Sequence, residues 1–180
     1  MLIAQEKRKS NIAEYILYMW QVEDIIRACQ FNIDLIERNY LSNFKQSARL
    51  MDDIKNWYVN LILMMHEENI RDKGHLSFLK TLVRDMNDLH MQLLGSREED
   101  RYQSLYTIAV VNLREFKSKL PEANVSDVEA CLDALYGLLL LRLKKKNINK
   151  ETEEAMATFS QMLAYLSEKF HRIEQGKEKI

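Results

Sequence analysis

Glycine and proline are scarce in this chain, which has four glycines and one proline among its 180 residues. Together they make up about 12% of an average protein. β-Sandwiches and barrels rely on these residues for their many tight turns, so the composition argues against an all-β fold. A chain of this length buries roughly 70% of the surface that its unfolded form exposes. We therefore predict one helical domain over residues 1–180 that folds without metal or disulfide support.

Long apolar runs and an excess of charge of one sign are also lacking. The longest apolar run, Ala134–Leu141, has eight residues, whereas a membrane-spanning helix needs about 18 or more. Met1–Asn11 has no apolar stretch of the kind that marks a secretory signal. The net charge is −1, so no overall field draws the chain to nucleic acid or to a membrane surface. We expect a cytoplasmic protein with no membrane partner, and nucleic acid is a disfavoured partner.

The two cysteines give no sign of a disulfide framework. Cys29 and Cys131 lie far apart in the sequence, each within an apolar helical stretch. A buried cysteine of this kind behaves as a small hydrophobic residue. We expect both thiols to be reduced and buried.

Apolar residues recur at steps of three and four along almost the whole chain, the pattern of amphipathic helices. The predicted segments are 12–29, a short element at 34–39, and the helices 46–71, 76–95, 98–119, 127–145 and 150–174. We interpret Ser42–Lys45 as a connector. Residues 1–10 either extend the first helix toward the N-terminus or fray. Residues 176–180 are expected to fray. Short connections favour antiparallel neighbours. The predicted fold is an all-α, antiparallel up-and-down bundle of six to seven helices.

Several residues predict where helices begin and end. Gly74 and Gly95 are placed to end the helices before them, because glycine tolerates the left-handed backbone of a helix terminus. Ser126, three residues before Glu129, predicts a capping box. The helix that follows is apolar around most of its circumference, which is typical of the centre of a bundle.

The sequence contains no motif that specifies catalysis or metal binding. None of the four histidines has a histidine or cysteine three or four positions further on, so the spacing of a zinc protease is missing. Glu168 and His171 form a single Glu-x-x-His turn, where a di-iron bundle needs two, and we interpret them as a solvated helix end. We predict no catalytic, cofactor-binding or metal-binding residue. An enzyme assembled from scattered positions is left open but disfavoured.

Two groups of polar residues lie on neighbouring predicted helices and are candidates for a shared site. His66, Glu67 and Glu68 end one helix, and Asp85, Asp88 and His90 lie on the next. The 1.5 Å rise per residue separates the second group from the connection between the helices by roughly 15–25 Å. We therefore expect solvent-exposed or hydrogen-bonded roles rather than one shared site.

The first helix carries the most unusual local composition. Tyr18, Trp20, Glu23 and Arg27 crowd the side away from the apolar stripe, and we predict that they form an interaction surface. Tryptophan, tyrosine and arginine dominate the energetically important positions of protein interfaces. Two alternatives remain open: Glu23 and Arg27 form an ordinary exposed pair at the i, i+4 spacing, or the face lines a ligand pocket.

Three segments resemble an uncharacterised family of all-helical cytoplasmic proteins from Bacteroidetes bacteria, known only as a domain of unknown function. They are IAEYILYMWQVEDIIRACQ (12–30), KGHLSFLKTLVRDMNDLHMQLL (73–94) and LYGLLLLRLKKKNINKETEEAM (135–156). The resemblance covers nearly the whole chain, and the first segment is the most specific. It implies a small intracellular helical bacterial protein and brings with it no catalytic or binding residue.

Three functions follow as hypotheses. The first is a non-enzymatic cytoplasmic interaction or scaffold module that forms homo-oligomers through the first-helix face, with no protein partner specified. The alternative is a bundle that binds a small apolar or aromatic ligand between its helices, where such pockets commonly form. The third is a nucleic-acid-binding regulator. No cofactor is expected in any of them.

Overall fold

The structure, a computed structural model, describes residues 2–42, 47–121 and 124–178, and these residues form helices and helix connections with no β-strand among them. Within these ranges the α-helices are α1 Leu2–Ser10, α2 Ile12–Ala28, α3 Ile33–Ile36, α4 Ala48–Glu67, α5 Ser77–Gly95, α6 Asp100–Ser118, α7 Asp127–Leu143 and α8 Lys150–Glu174. A π-helical turn, Glu37–Leu41, continues α3. The predicted all-α bundle class is confirmed.

The two ends of the described chain are more ordered than the sequence indicated. Residues 2–10 form the separate helix α1, which adds one helix to the predicted six to seven. At the other end, Glu178 lies 2.5 Å from the Lys169 ammonium and 3.1 Å from the Arg172 guanidinium. Residues 1, 43–46, 122–123 and 179–180 lie outside the described residues, and with them most of the predicted connector and the predicted start of the long helix at residue 46.

Side chains cap several helix starts, as local sequence predicts. The Ser126 side chain accepts the Glu129 N–H at 3.2 Å, and Asn149 accepts the Thr152 N–H at 2.8 Å. The caps satisfy amides that have no partner inside the helix. The predicted end of α5 at Gly95 is confirmed.

The long helix α4 ends earlier than predicted. It stops at Glu67 because Asn69 adopts a left-handed backbone with φ of 56°. The Asn69 N–H then bonds to the His66 carbonyl and the Ile70 N–H to the Met65 carbonyl, a Schellman motif in which asparagine takes the place usual for glycine. Gly74, with φ of 91°, lies in the connection to α5 instead of ending α4.

Contacts within the chain cluster into two compact units. The single domain predicted over residues 1–180 stays a prediction. The first unit comprises Met1–Arg8 and Glu14–Thr81. Ile16, Ile26 and Met65 are among its fully buried side chains. Helix α3 packs on α4.

The second unit comprises Lys9–Ala13 and Leu82–Ile180, and in it α6, α7 and α8 pack on one another. Helices α6 and α8 run antiparallel. The hydroxyl of Tyr165, late in α8, donates to Glu99 at the start of α6, while Asn112 late in α6 donates to Thr158 early in α8. This arrangement leaves the end of α6 beside the beginning of α8.

Helix α7 is buried along its first half and exposed near its end. Val128, Cys131 and Leu132 have no exposed surface, whereas Leu141 and Leu143 are 42% and 66% exposed. Apolar residues surround most of this helix, which predicted a central position. Near the end of the helix, however, Leu141 lines an open groove between α6, α7 and α8. Among the described residues, no helix combines the length and the apolarity needed to cross a bilayer.

Candidate functional site

The predicted interaction surface on α2 is not an open face. Trp20 is 3% exposed and Glu23 is fully buried, while Tyr18 and Arg27 are half-buried. Glu23 and Arg27 bind residues 70, 74, 75 and 76, which lie in the connection 68–76 between α4 and α5. The part of these four residues in self-association stays a prediction.

The Glu23 carboxylate binds the end of this connection. One oxygen accepts the Leu76 N–H at 2.8 Å, and the other lies 2.6 Å from Nδ1 of His75. The His75 ring stacks on the Trp20 indole with centroids 4.2 Å apart and planes inclined by 16°. A buried carboxylate is stable here because both of its oxygens have polar partners.

A second carboxylate binds at the same end of α5. Glu68 accepts both the Ser77 N–H and the Ser77 hydroxyl at 2.7 Å. Together with Glu23 it places two negative charges at the positive end of the α5 dipole, a favourable arrangement. The hydrogen-bonded role expected for Glu68 is confirmed.

Arg27 holds the middle of the connection. Its guanidinium donates to the Ile70 carbonyl at 3.4 Å and to the Gly74 carbonyl, and it lies 3.0 Å from Asp24. Glu23 and Arg27 therefore bind different partners instead of forming the exposed pair considered above. Glu23 and Arg27 of α2 therefore hold the connection between α4 and α5 in place.

The second unit contains a buried polar network that the sequence did not reveal. His90 of α5, 1% exposed, lies with Nδ1 2.6 Å from the Tyr102 hydroxyl and Nε2 3.8 Å from Asp127. Asp127 accepts hydrogen bonds from the Tyr106 hydroxyl at 2.8 Å and from the Lys117 ammonium at 2.7 Å. Three helices thus contribute to one network around the first residue of α7.

Burial and neighbouring groups shift the pKa values of Asp127, Tyr106 and the nearby Cys131. The neighbouring His90 imidazole, with Lys117 and Tyr106, holds the pKa of Asp127 well below its usual range against the opposing effect of burial. Burial and the Asp127 charge raise the pKa of Tyr106 to about 12. Burial also raises the pKa of the Cys131 thiol well above its usual range, so the thiol stays protonated and is a poor nucleophile. We interpret the network as a structural one.

The residues predicted beside His90 on α5 do not join it. Asp85 and Asp88 are exposed and border a hollow of about 260 Å³ with Leu89 and Phe170. The helical twist places them on a different side of α5 from His90, which is buried.

Glu168 and His171 of α8 have charged neighbours on the same helix. His171 lies 3.6 Å from Glu174, and Glu168, whose side chain is 69% exposed, lies 4.0 Å from Arg172. Across the described ranges, no group of three or more histidine, cysteine, aspartate or glutamate side chains is placed to hold a metal ion.

The second unit contains a groove between α6, α7 and α8, which we call the α6–α8 groove. Its volume is about 480 Å³. Apolar side chains form much of its lining, namely Phe116, Ala134, Leu138, Leu141, Ala155, Met156 and Phe159. Polar side chains also line it, namely Asn112, Glu115, Lys119, Asp133, Asn149, Glu151 and Thr152. Small-molecule sites usually combine apolar side chains with polar groups that orient the ligand.

A glycine in the middle of α7 helps to keep this groove open. Gly137 lines the groove, and a Cβ placed on it would meet nothing within 4 Å. Glycine inside a helix costs about 0.5–1 kcal/mol relative to alanine. This role was not predicted, because the apolar residues around Gly137 indicated close packing on every side of the helix.

No match was found among curated proteins or among solved structures. One family model, described as a domain of unknown function (DUF4924), matches residues 1–177.

Proposed function

Because the chain belongs to this family of unknown function, we propose a function from its own geometry: it is a non-enzymatic binding module that takes a small amphiphilic molecule in the α6–α8 groove. The observation that carries the proposal is the groove itself, a hollow of about 480 Å³ between three helices that is lined by both apolar and polar side chains. This volume falls within the range of about 300–1,000 Å³ that is common for small-molecule sites.

The dimensions of the groove favour a small molecule over a folded protein partner. Fifteen residues line it, whereas each side of a standard protein interface contributes about 20–30. Phe116 is partly exposed and offers aromatic surface to an apolar ligand, and the fully buried Phe159 ring lies behind it with the two centroids 6.5 Å apart. Both phenylalanines lie on helices, which are firmer supports for a site than loops are.

The first experiment compares native and denatured mass spectra of the protein purified from its own cells. We expect an added mass on the 21.4 kDa chain that is lost on denaturation. Gly137→Leu fills the groove from within and should remove the added mass. Gly95→Leu is the matched control, because a Cβ at Gly95 also meets nothing within 4 Å and Gly95 lies outside the groove lining.

A second measurement covers a ligand that is lost during purification. A ligand that binds only the folded chain raises the melting temperature, so a metabolite panel should contain a compound that stabilises the wild type and Gly95→Leu but not Gly137→Leu. A bare chain in the native spectrum together with no stabilising compound would contradict the proposal.

Self-association is the second candidate, and one observation favours it. Ile108 and Val111 of α6 are 59% and 69% exposed and lie three positions apart, so they share one face of the helix. In that case the native mass is a multiple of 21.4 kDa, and Ile108→Ser with Val111→Ser shifts it toward the monomer. Leu63→Ser, at a residue of α4 that is 54% exposed, is the control. Nucleic-acid binding stays a prediction from the sequence alone.

We also propose that the protein works in the cytoplasm of a bacterial cell. The support is the sequence resemblance stated above, together with Cys29 and Cys131, which are free and buried. Reducing compartments keep such thiols unpaired. Detection of the protein in the soluble cytoplasmic fraction of its host tests this location.

A further inference from the structure

We infer that His75 accepts a phosphoryl group on its Nε2 atom from a phosphoramidate, a donor in which nitrogen is bonded to phosphorus. His75 lies in the connection 68–76 just before α5, and its partners Glu23 and Trp20 lie on α2. These residues belong to the first unit. The inference therefore goes beyond the function proposed for the α6–α8 groove and does not depend on it.

Two contacts fix the orientation of the His75 ring. Nδ1 lies 2.6 Å from the carboxylate of the fully buried Glu23, and the Trp20 indole stacks on one face of the ring with the centroids 4.2 Å apart. An ionised carboxylate can only accept a hydrogen bond, so Nδ1 carries the proton of the neutral imidazole. Nε2 then has the lone pair that can act as a nucleophile.

The Nε2 edge of this ring is open to solvent. The His75 side chain is 31% exposed. Within the described part of the chain no hydrogen bond is made to Nε2, and Nε2 is not one of the buried polar atoms that lack a partner. A metal ion is a less suitable partner for this lone pair, because the described residues contain no group of three or more side chains placed to hold one. A phosphoryl donor needs only the one exposed nitrogen.

The transfer balances with the donor as the only other reactant. The Nε2 lone pair attacks phosphorus and forms the new N–P bond, while the bond from phosphorus to the donor nitrogen breaks. That nitrogen keeps the electron pair. In phosphoramidate itself it is already an ammonium, so it leaves as neutral ammonia. The histidine ring becomes a cation, and the buried Glu23 carboxylate stabilises it through the Nδ1–H, as a buried carboxylate does for a catalytic histidine.

The other histidines lack this combination. In His66, Nδ1 accepts the Nε–H of Arg71 at 3.0 Å. A guanidinium can only donate, so the His66 proton lies on Nε2, and that atom has no lone pair for the reaction. His90 is 1% exposed. Nδ1 of His171 lies 3.6 Å from Glu174, which is too long for a hydrogen bond.

The experiment treats the native protein with phosphoramidate at neutral pH and follows the phosphorylation of each histidine by peptide mapping. We expect His75 to react about tenfold faster than His66. In urea the two rates should become equal, because neither ring then has its partner. His66 is thus a control within the same chain.

Three variants test the source of this reactivity. His75→Asn removes Nε2 but retains an N–H near the position of Nδ1, so it should abolish the fast labelling and leave the helices intact by circular dichroism. Glu23→Gln can still accept the Leu76 N–H, and its amide N–H then points to Nδ1 and moves the ring proton to Nε2. The His75 rate should fall about tenfold or more. Glu68→Gln is the matched control, because Glu68 bonds to Ser77 at the same end of α5 and should leave the rate unchanged.

Nitrogen NMR of the histidine rings separates an effect on the proton position from a loss of structure. We expect the His75 proton on Nδ1 in the wild type and on Nε2 in Glu23→Gln. The inference is refuted if His75 stays unlabelled or reacts no faster than His66 in the native chain, or if Glu23→Gln reacts at the wild-type rate. Equal slowing by Glu23→Gln and Glu68→Gln also refutes it, because the effect would then come from a loosened connection.

Discussion

The Glu23 carboxylate accepts the Leu76 backbone N–H at 2.8 Å, so a side chain of α2 caps the residues that lead into α5. The carboxylate is fully buried and its other oxygen meets His75. Its removal leaves a buried N–H without its partner, which costs more than the net value of a hydrogen bond.

Glu23→Ala should therefore lower the free energy of unfolding by about 2–3 kcal/mol, measured by urea denaturation. Glu23→Gln retains an acceptor and should lose about half as much. The control is Glu14→Ala on the same helix. Glu14 forms an ion pair with Lys7, and its side chain is 56% exposed. An exposed ion pair of this kind contributes about 0–1 kcal/mol. Equal losses for Glu23→Ala and Glu14→Ala would contradict the capping role.

Asp127 should make the free energy of unfolding decrease at acidic pH. Its pKa is lowered on folding, so the stabilisation is complete above the unfolded value of about 3.9 and is lost as the pH falls below it. We expect the unfolding free energy of the wild type to decrease below about pH 4 more steeply than that of Asp127→Asn. Circular dichroism during urea titrations at several pH values measures both.

At neutral pH, Asp127→Asn should cost about 1.5–3 kcal/mol, because the carboxylate accepts hydrogen bonds from Lys117 and Tyr106. Asp85→Asn on the exposed side of α5 serves as the control. Parallel pH profiles for the wild type and Asp127→Asn would show that another carboxyl governs the acid response.

Two glycines should respond to alanine in opposite directions. Gly137→Ala removes a flexible residue from the middle of α7 and adds a methyl group with open space around it, so we expect about 0.5–1 kcal/mol of stabilisation. Gly74→Ala forces an L side chain onto a backbone with φ of 91° and should destabilise by about 1 kcal/mol. Thermal unfolding of both variants tests the pair, and a destabilised Gly137→Ala would show that the groove is closed around this position.

Both thiols should be inert in the folded protein. Cys29 and Cys131 are 3% and 0% exposed, and burial raises the pKa of each. Since the thiolate is the reactive form, a disulfide reagent such as Ellman's should label neither within minutes at neutral pH and both after unfolding in urea. Rapid labelling of either thiol in the native chain would refute its burial.

Apolar spacing and capping residues predicted most of the helices. They did not predict contacts between residues that are far apart in the sequence. The capping residues Ser126 and Asn149 act within three positions of themselves, so a short stretch of sequence contains the whole interaction. Glu23 binds a residue 53 positions away, and periodicity on α2 cannot tell which segment covers its polar side.

The same limit applies to the groove. The apolar pattern of α7 is compatible with packing against helices or with facing an open hollow, and the sequence around Gly137 does not distinguish them. Only the relative placement of α6, α7 and α8 separates these two cases.

The connection 68–76 has a fixed length as a consequence of its attachments. Arg27 binds the carbonyls of Ile70 and Gly74, and Glu23 binds the Leu76 N–H. Surface connections usually accept inserted residues with little penalty. Here one inserted residue between Ile70 and Leu76 would shift the backbone groups out of register with both side chains, so this stretch should rank among the least tolerant of insertion in the first unit.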